Sequence, residues 1–182
     1  MWTTLRTTML LSLFIGSFDV SAARLQVTGL VTNKVTGGPI EHALVRVYKD
    51  GVKQYILHTG STGRYDVLLD NNAHYVIRFS LPGHVTKCFT VDTHGSEWEN
   101  DHQVEKVFVE MTLFPDLDEL DLSFFDLPMG MARFQPMTGH LGWDEAYDER
   151  IRERVNDLMS EYERMLLQRN ATASLDDRAT AR

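Results

Sequence analysis

Apolar and polar residues alternate along seven short stretches between residues 24 and 114. In one of them Tyr65, Val67 and Leu69 share a face, because successive side chains of a strand point to opposite sides. Turn residues such as Asp50 and Gly51 separate the stretches. The pattern predicts a mostly β fold, a seven-stranded antiparallel β-sandwich. The predicted strands are 24–32, 43–48, 54–59, 64–69, 74–81, 84–92 and 104–114.

A helical period replaces the alternation near the C-terminus. Apolar residues recur there at spacings of three and four, which places them on one face of a helix. The pattern predicts an amphipathic α-helix over residues 143–169, followed by a disordered polar tail over 170–182. The apolar stripe is a candidate interface and consists of Ile151, Val155, Leu158, Tyr162 and Met165.

Two interpretations of this stripe remain open. It can cover a face of the chain's own sandwich, or it can pair with a helix of a second chain. The repeat lasts only about two heptads, which is short for a coiled coil, so we favour the first interpretation. Proline and glycine recur between residues 115 and 142, and this segment is predicted to be an irregular connector.

The N-terminus has the features of a cleavable secretory signal over residues 1–23. Arg6 precedes an apolar run over residues 9–18, and Ala22 and Ala23 supply the small residues of a cleavage site. That run is too short to span a bilayer, which takes about 20 residues. We therefore expect export to the periplasm or the cell surface, with no transmembrane segment after cleavage.

Charge is concentrated in the C-terminal part of the chain. Residues 24–114 carry nine Lys plus Arg and ten Asp plus Glu, a net charge of −1. Residues 115–182 carry eight Arg and fifteen acids, a net charge of −7. Such a surface repels phosphates, so a nucleic-acid partner is excluded. The single cysteine, Cys88, permits no internal disulfide and is expected to be an ordinary strand residue.

Several short motifs occur in an order that resembles carboxypeptidase regulatory-like domains, a group of transthyretin-like (prealbumin-like) β-sandwiches common in exported proteins of Bacteroidetes-type bacteria. The motifs are Val27 to Val31, Gly38 to Ile40, Ala43 to Tyr48, Thr62 to Tyr65, and Leu81 to His84. The resemblance covers roughly residues 25–91 and implies a non-catalytic accessory or binding module over residues 24–114.

No motif in the chain carries recognisable chemistry. The seven histidines form no close pair of metal ligands, and no nucleophile elbow or phosphate loop occurs. We therefore predict no enzyme activity, no catalytic residue, no cofactor and no metal site. The predicted function is an exported module that engages a protein or cell-envelope partner.

Carbohydrate binding is the alternative function, because exposed aromatic side chains can stack on sugars. The candidate glycan-binding residues are Trp98, Tyr48 and Tyr55. A small hydrolase whose site residues lie far apart in sequence is a third, less favoured class.

Overall fold

The computed structural model describes residues 24–95, 104–135 and 140–180. The predicted signal segment 1–23 and Trp98 lie outside the described residues. Within the described part, nine strands and one long C-terminal helix are present, together with a 3₁₀ helix over Ser123–Asp126. The strands are β1 (Arg24–Asn33), β2 (Leu44–Lys49), β3 (Val52–His58), β4 (Arg64–Asp70), β5 (His74–Ser80), β6 (Lys87–Asp92), β7 (Val104–Leu113), β8 (Pro128–Gln135) and β9 (His140–Trp143), and the helix is α1 (Glu145–Thr180).

The strands form two sheets that share one hydrophobic core. The smaller sheet has the order β4-β1-β7, and the larger has the order β3-β2-β5-β6-β8-β9. Val27 of β1 and Val67 of β4 contribute from the smaller sheet, and Val45 and Ile77 contribute from the larger one. All four side chains are essentially inaccessible to water. The mostly β architecture with a single C-terminal helix is therefore confirmed for the described residues.

The predicted strand count and the exclusively antiparallel pairing are both wrong for the described residues. Nine strands are present rather than seven, and two pairs are parallel. β1 runs parallel to β7 over its whole length, and β6 runs parallel to β8. Alternation cannot reveal this, because the side-chain period is the same in parallel and antiparallel strands. Parallel neighbours also need a long crossover connection, which leaves no hairpin turn in the sequence.

The segment 115–142 is more regular than expected, because it contains β8 and most of β9. Pro128 is the first residue of β8, a position at which proline interrupts no hydrogen bond of the strand interior. Gly130 lies under Trp143 of β9, and a Cβ at Gly130 would stand 2.9 Å from the indole ring. Pro128 and Gly130 therefore mark a strand start and a close approach rather than a loop.

The helix begins one residue after Asp144, whose carboxylate accepts a 3.1 Å hydrogen bond from the backbone N–H of Tyr147. This side-chain cap satisfies a donor that the first turn leaves unpaired. The helix then continues to Thr180, whereas the sequence predicted a disordered tail from residue 170. Glycine and proline, the two residues least favourable inside a helix, do not occur after Gly142, so the sequence contains no strong signal that ends the helix before Thr180.

A second apolar cluster joins α1 to the rest of the chain. Leu158 and Tyr162 of the helix pack on Phe114 and Phe125, which lie before and within the 3₁₀ helix. The interpretation in which the helix covers its own chain therefore agrees with the described contacts. No helix in the described part of the chain is long and apolar enough to cross a membrane.

Candidate functional site

A groove of about 640 Å³ lies where the helix crosses the open side of the two sheets. Strands β6 and β7 form its floor, β8 and β9 form one wall, and the middle of α1 forms the other. Most of the lining is apolar. The apolar lining side chains are Phe89, Val109, Met111, Phe125, Met129, Trp143, Ile151, Val155 and Met159.

Lys87 is the central polar group of this groove. Its ammonium donates a 2.8 Å hydrogen bond to the carbonyl oxygen of Thr112, which connects β6 to β7 across the two sheets. The nitrogen also lies 4.6 Å from the ring centre of Phe114 and 5.1 Å from that of Phe125. No carboxylate of the described residues forms an ion pair with it.

This environment changes the acidity of the Lys87 ammonium. Burial, together with the positive charge of Lys34, lowers the pKa of Lys87 from 10.5 to about 8. Desolvation disfavours the charged form of an amine, and the two aromatic rings compensate only in part. Near neutral pH, Lys87 is thus a cation that lacks a counter-ion, and above pH 8 it is largely a neutral amine.

The remaining charged groups of the groove are differently partnered. Lys34 forms a 3.2 Å ion pair with Glu163 of the helix. Glu110 accepts a 2.9 Å hydrogen bond from the Thr32 hydroxyl. One carboxylate oxygen of Asp148 is buried without a hydrogen-bond partner among the described residues, and burial raises the pKa of this carboxyl. Among the described residues, neither Lys87 nor Arg152 forms an ion pair with a carboxylate, but Arg152 is exposed, whereas Lys87 is half-buried.

Trp143 forms part of the rim of the groove. Its indole packs edge-on against Phe89, with ring centres 6.0 Å apart, yet 38% of the residue remains exposed. A half-exposed indole at the mouth of an apolar groove can contact both a ligand and the floor. It also gives the groove a fluorescent reporter.

Two of the three residues predicted to bind a glycan, Tyr48 and Tyr55, lie on opposite faces of the larger sheet. Tyr48 lies on β2 opposite Val76, on the outer face of the larger sheet. Tyr55 is paired with Val47, on the inner face, and its hydroxyl donates a 3.3 Å hydrogen bond to the Leu68 carbonyl. The two rings thus belong to opposite faces, and Trp98 is outside the described residues.

The predicted helix stripe divides between two environments. Ile151 and Val155 line the groove. Leu158 and Tyr162 are 3% and 1% exposed in the second apolar cluster, and Met165 packs at its margin. The stripe thus has two structural roles, one in the groove and one in the core.

A second, polar groove of about 380 Å³ lies beside the loop that follows β7. Its carboxylates belong to Asp116, Asp118, Asp121 and Asp126. Among the described residues, however, no three His, Cys, Asp or Glu side chains are grouped closely enough to hold a metal ion. Cys88 is buried on β6, and burial raises the pKa of its thiol, which disfavours the reactive thiolate.

Sequence reasoning missed Lys87, although a signal for it exists. Val85, Lys87, Phe89 and Val91 alternate on one face of the predicted strand 84–92, and the other three are apolar. A lysine at an inward position is rare unless it has a partner or a function. The violation of the pattern could therefore have marked this residue.

No protein-family model matches the chain. No curated protein matches it either.

Solved structures of dioxygenases resemble part of the chain. A 3-chlorocatechol 1,2-dioxygenase from Rhodococcus opacus has 12% identity and a TM-score of 0.41, over 54% of this chain and 62% of the enzyme. A hydroxyquinol 1,2-dioxygenase from Pseudomonas putida has 11% identity and a TM-score of 0.37, over 52% and 57%. The dioxygenase domain of a dioxygenase carbohydrate-binding protein fusion from a Streptomyces species has 10% identity and a TM-score of 0.40, over 55% and 85%.

This finding corrects the predicted function. The chain spans about three fifths of the length of the first two dioxygenases, and the structures that it resembles are enzymes. The expectation of a non-catalytic module that engages a protein or envelope partner, with glycan binding as its alternative, is contradicted by it. At these identities and TM-scores the likeness assigns no reaction to the present chain.

Proposed function

We propose that the chain binds a small molecule in the groove beneath α1, and that this molecule has an apolar body and a carboxylate. The observation that carries the proposal is Lys87, a half-buried cation with no carboxylate partner among the described residues, at the floor of an apolar groove.

The dimensions and lining of the groove support a small ligand. Ligand pockets commonly measure about 300–1,000 Å³ and are mainly apolar, with few polar groups. The present groove has about 640 Å³ and nine apolar lining side chains. Met111, Met129 and Met159 add flexible side chains that adapt to ligands of different shape.

The charge of the groove supports an anion. A partly buried cation without a counter-ion is costly, and a ligand carboxylate would reduce that cost through a charge-assisted hydrogen bond. Lys34 and Arg152 add positive charge at the same groove and Glu110 and Asp148 add negative charge, so the five charged lining residues have a formal net charge of +1. We therefore expect the carboxylate at Lys87 and the apolar body against Trp143 and the helix.

Trp143 fluorescence tests this proposal directly. In the full chain, Trp2→Phe and Trp98→Phe leave Trp143 as the only indole. Benzoate, phenylacetate and hexanoate are titrated at about pH 7, with benzamide as the uncharged match of benzoate. We expect at least one carboxylate to quench Trp143 fluorescence in a saturable way. We also expect benzoate to bind about tenfold more tightly than benzamide, which corresponds to a difference of roughly 1.4 kcal/mol in binding free energy.

Two lysine variants provide the matched control. Lys87→Met removes the cation at the floor of the groove and is expected to abolish the preference for the carboxylate. Lys53→Met removes an exposed lysine of β3 and is expected to leave it unchanged. If none of the three carboxylates quenches Trp143, or if Lys87→Met binds benzoate as the parent does, the proposal is wrong.

The finer features of the fold are part of this proposal. The two sheets around one core, with short strands and polar turns, support a sandwich of the transthyretin type. The order of motifs supports membership of the carboxypeptidase regulatory-like group. Export to the periplasm or cell surface rests on residues 1–23, and the mass of the mature N-terminus after expression in a bacterium would test it.

A further inference from the structure

We propose that the Lys87 amine condenses with a small apolar aldehyde held in this groove and forms an imine. This inference rests on the proposed function, because the groove must first hold the apolar body of the ligand. It adds a covalent step at a stated atom, Nζ of Lys87.

The surroundings of Nζ favour such a nucleophile. The nitrogen donates to one backbone carbonyl, that of Thr112, and otherwise faces the rings of Phe114 and Phe125. No described carboxylate forms an ion pair that would hold it in the charged form. Lysines in apolar pockets are activated for attack on carbonyl groups in this way.

The charge state of the amine supports the same step. With a pKa of about 8, Lys87 has a substantial neutral fraction at pH 7.5, whereas a lysine at the ordinary value of 10.5 has almost none. Each unit by which the pKa is lowered raises the neutral fraction about tenfold in this range. A less basic amine is also a weaker nucleophile, which offsets part of this gain. We therefore expect Lys87 to react about tenfold faster than an ordinary exposed lysine.

The reaction balances without an oxidant or a reductant. The amine lone pair attacks the carbonyl carbon, the carbon–oxygen π pair moves to oxygen, and proton transfer gives a carbinolamine. The hydroxyl then leaves as water with a proton from solvent, and the nitrogen lone pair forms the carbon–nitrogen double bond. One aldehyde and one ammonium thus give one protonated imine and one water.

Reductive trapping tests the inference. The full chain is incubated with benzaldehyde and sodium cyanoborohydride, which reduces an imine to a stable benzylamine, and each of the five lysines is followed by peptide mass spectrometry. We expect Lys87 to be labelled about tenfold faster than the exposed Lys53 and Lys106 at pH 7.5. We also expect benzoate to slow labelling at Lys87 alone.

The variant Lys87→Arg separates the two proposals, because it keeps the positive charge and removes the nucleophilic amine. It should acquire no benzyl group at position 87, whereas the exposed Lys53 should be labelled at the rate seen in the parent. If benzoate binds the parent chain but Lys87 is labelled no faster than Lys53, the imine inference is overturned and the binding proposal stands. Rapid labelling of Lys87 that no carboxylate slows would overturn the proposal that a carboxylate binds at Lys87 and would leave the imine step standing.

Discussion

The Tyr65 hydroxyl donates a 2.8 Å hydrogen bond to the carbonyl oxygen of Val109. The two residues lie on β4 and β7, the outer strands of the smaller sheet, so the side chain of Tyr65 must cross β1 between them. It crosses at Gly29, which is opposite both residues in the strand register. The absence of a side chain at Gly29 is therefore what allows the ring to reach β7.

Gly29→Ala should accordingly be among the most destabilising single changes in the smaller sheet. The added Cβ would meet the Val109 carbonyl and stand 2.8 Å from the Tyr65 ring, and neither group can move freely. We expect a loss of about 3 kcal/mol in the free energy of unfolding, measured by urea denaturation. Gly60→Ala is the control, since no atom lies within 4 Å of its added Cβ. Equal losses in the two variants would show that the ring does not depend on Gly29.

Two tyrosine-to-phenylalanine changes should have opposite effects. Tyr65→Phe removes the donor from a buried carbonyl and should cost about 1–2 kcal/mol of unfolding free energy. The Tyr162 hydroxyl is buried with no hydrogen-bond partner among the described residues. Tyr162→Phe should therefore be neutral or stabilise the fold by up to about 1 kcal/mol. A loss at Tyr162 as large as that at Tyr65 would indicate a partner for this hydroxyl.

The sequence predicts the elements of this fold better than their arrangement. The seven strands expected between residues 24 and 114 are all present, each displaced by at most three residues at either end. The alternation of buried and exposed side chains in a strand involves only neighbouring residues, so it can be read directly from the sequence, as Tyr65, Val67 and Leu69 illustrate. Pairing of β1 with β7 depends on contacts about 80 residues apart, which no local pattern encodes.

The groove could not be predicted in the same way. It requires the helix to lie over the sheets at one particular place, so that Ile151 and Val155 face Lys87 and Phe89 across a gap. The apolar stripe of the helix predicts that it packs, but it does not indicate where packing leaves space. Of the polar groups of the groove, Lys87 is the one with a signal in the sequence, because it is an inward lysine within an apolar alternation.

The different burial of two leucines of α1 predicts different effects of their substitution. Leu158 is 3% exposed against Phe114 and Phe125, whereas Leu167 is 71% exposed. Leu158→Ala should lower the free energy of unfolding by about 2–4 kcal/mol, and Leu167→Ala should change it by less than about 0.5 kcal/mol. Urea denaturation followed by circular dichroism measures both. Similar values would mean that the helix is not held on the sheets by this cluster.

The lowered pKa of Lys87 makes stability depend on pH in a defined window. The unfolded chain has the ordinary lysine pKa of 10.5 and the folded chain has one of about 8, so the unfolded chain binds more protons between these values. Stability therefore rises with pH in this window, by at most about 3 kcal/mol at roughly 1.4 kcal/mol per pKa unit. Lys87→Met lacks the titrating group and should lack this rise. Urea denaturation from about pH 7 to 10.5 should thus show the free energy of unfolding of the parent rising relative to that of Lys87→Met. The free energy of unfolding of Lys53→Met should change with pH as that of the parent does. Parallel curves for the parent and Lys87→Met would mean that Lys87 is solvated like a surface lysine, and they would remove the physical basis for its reactivity.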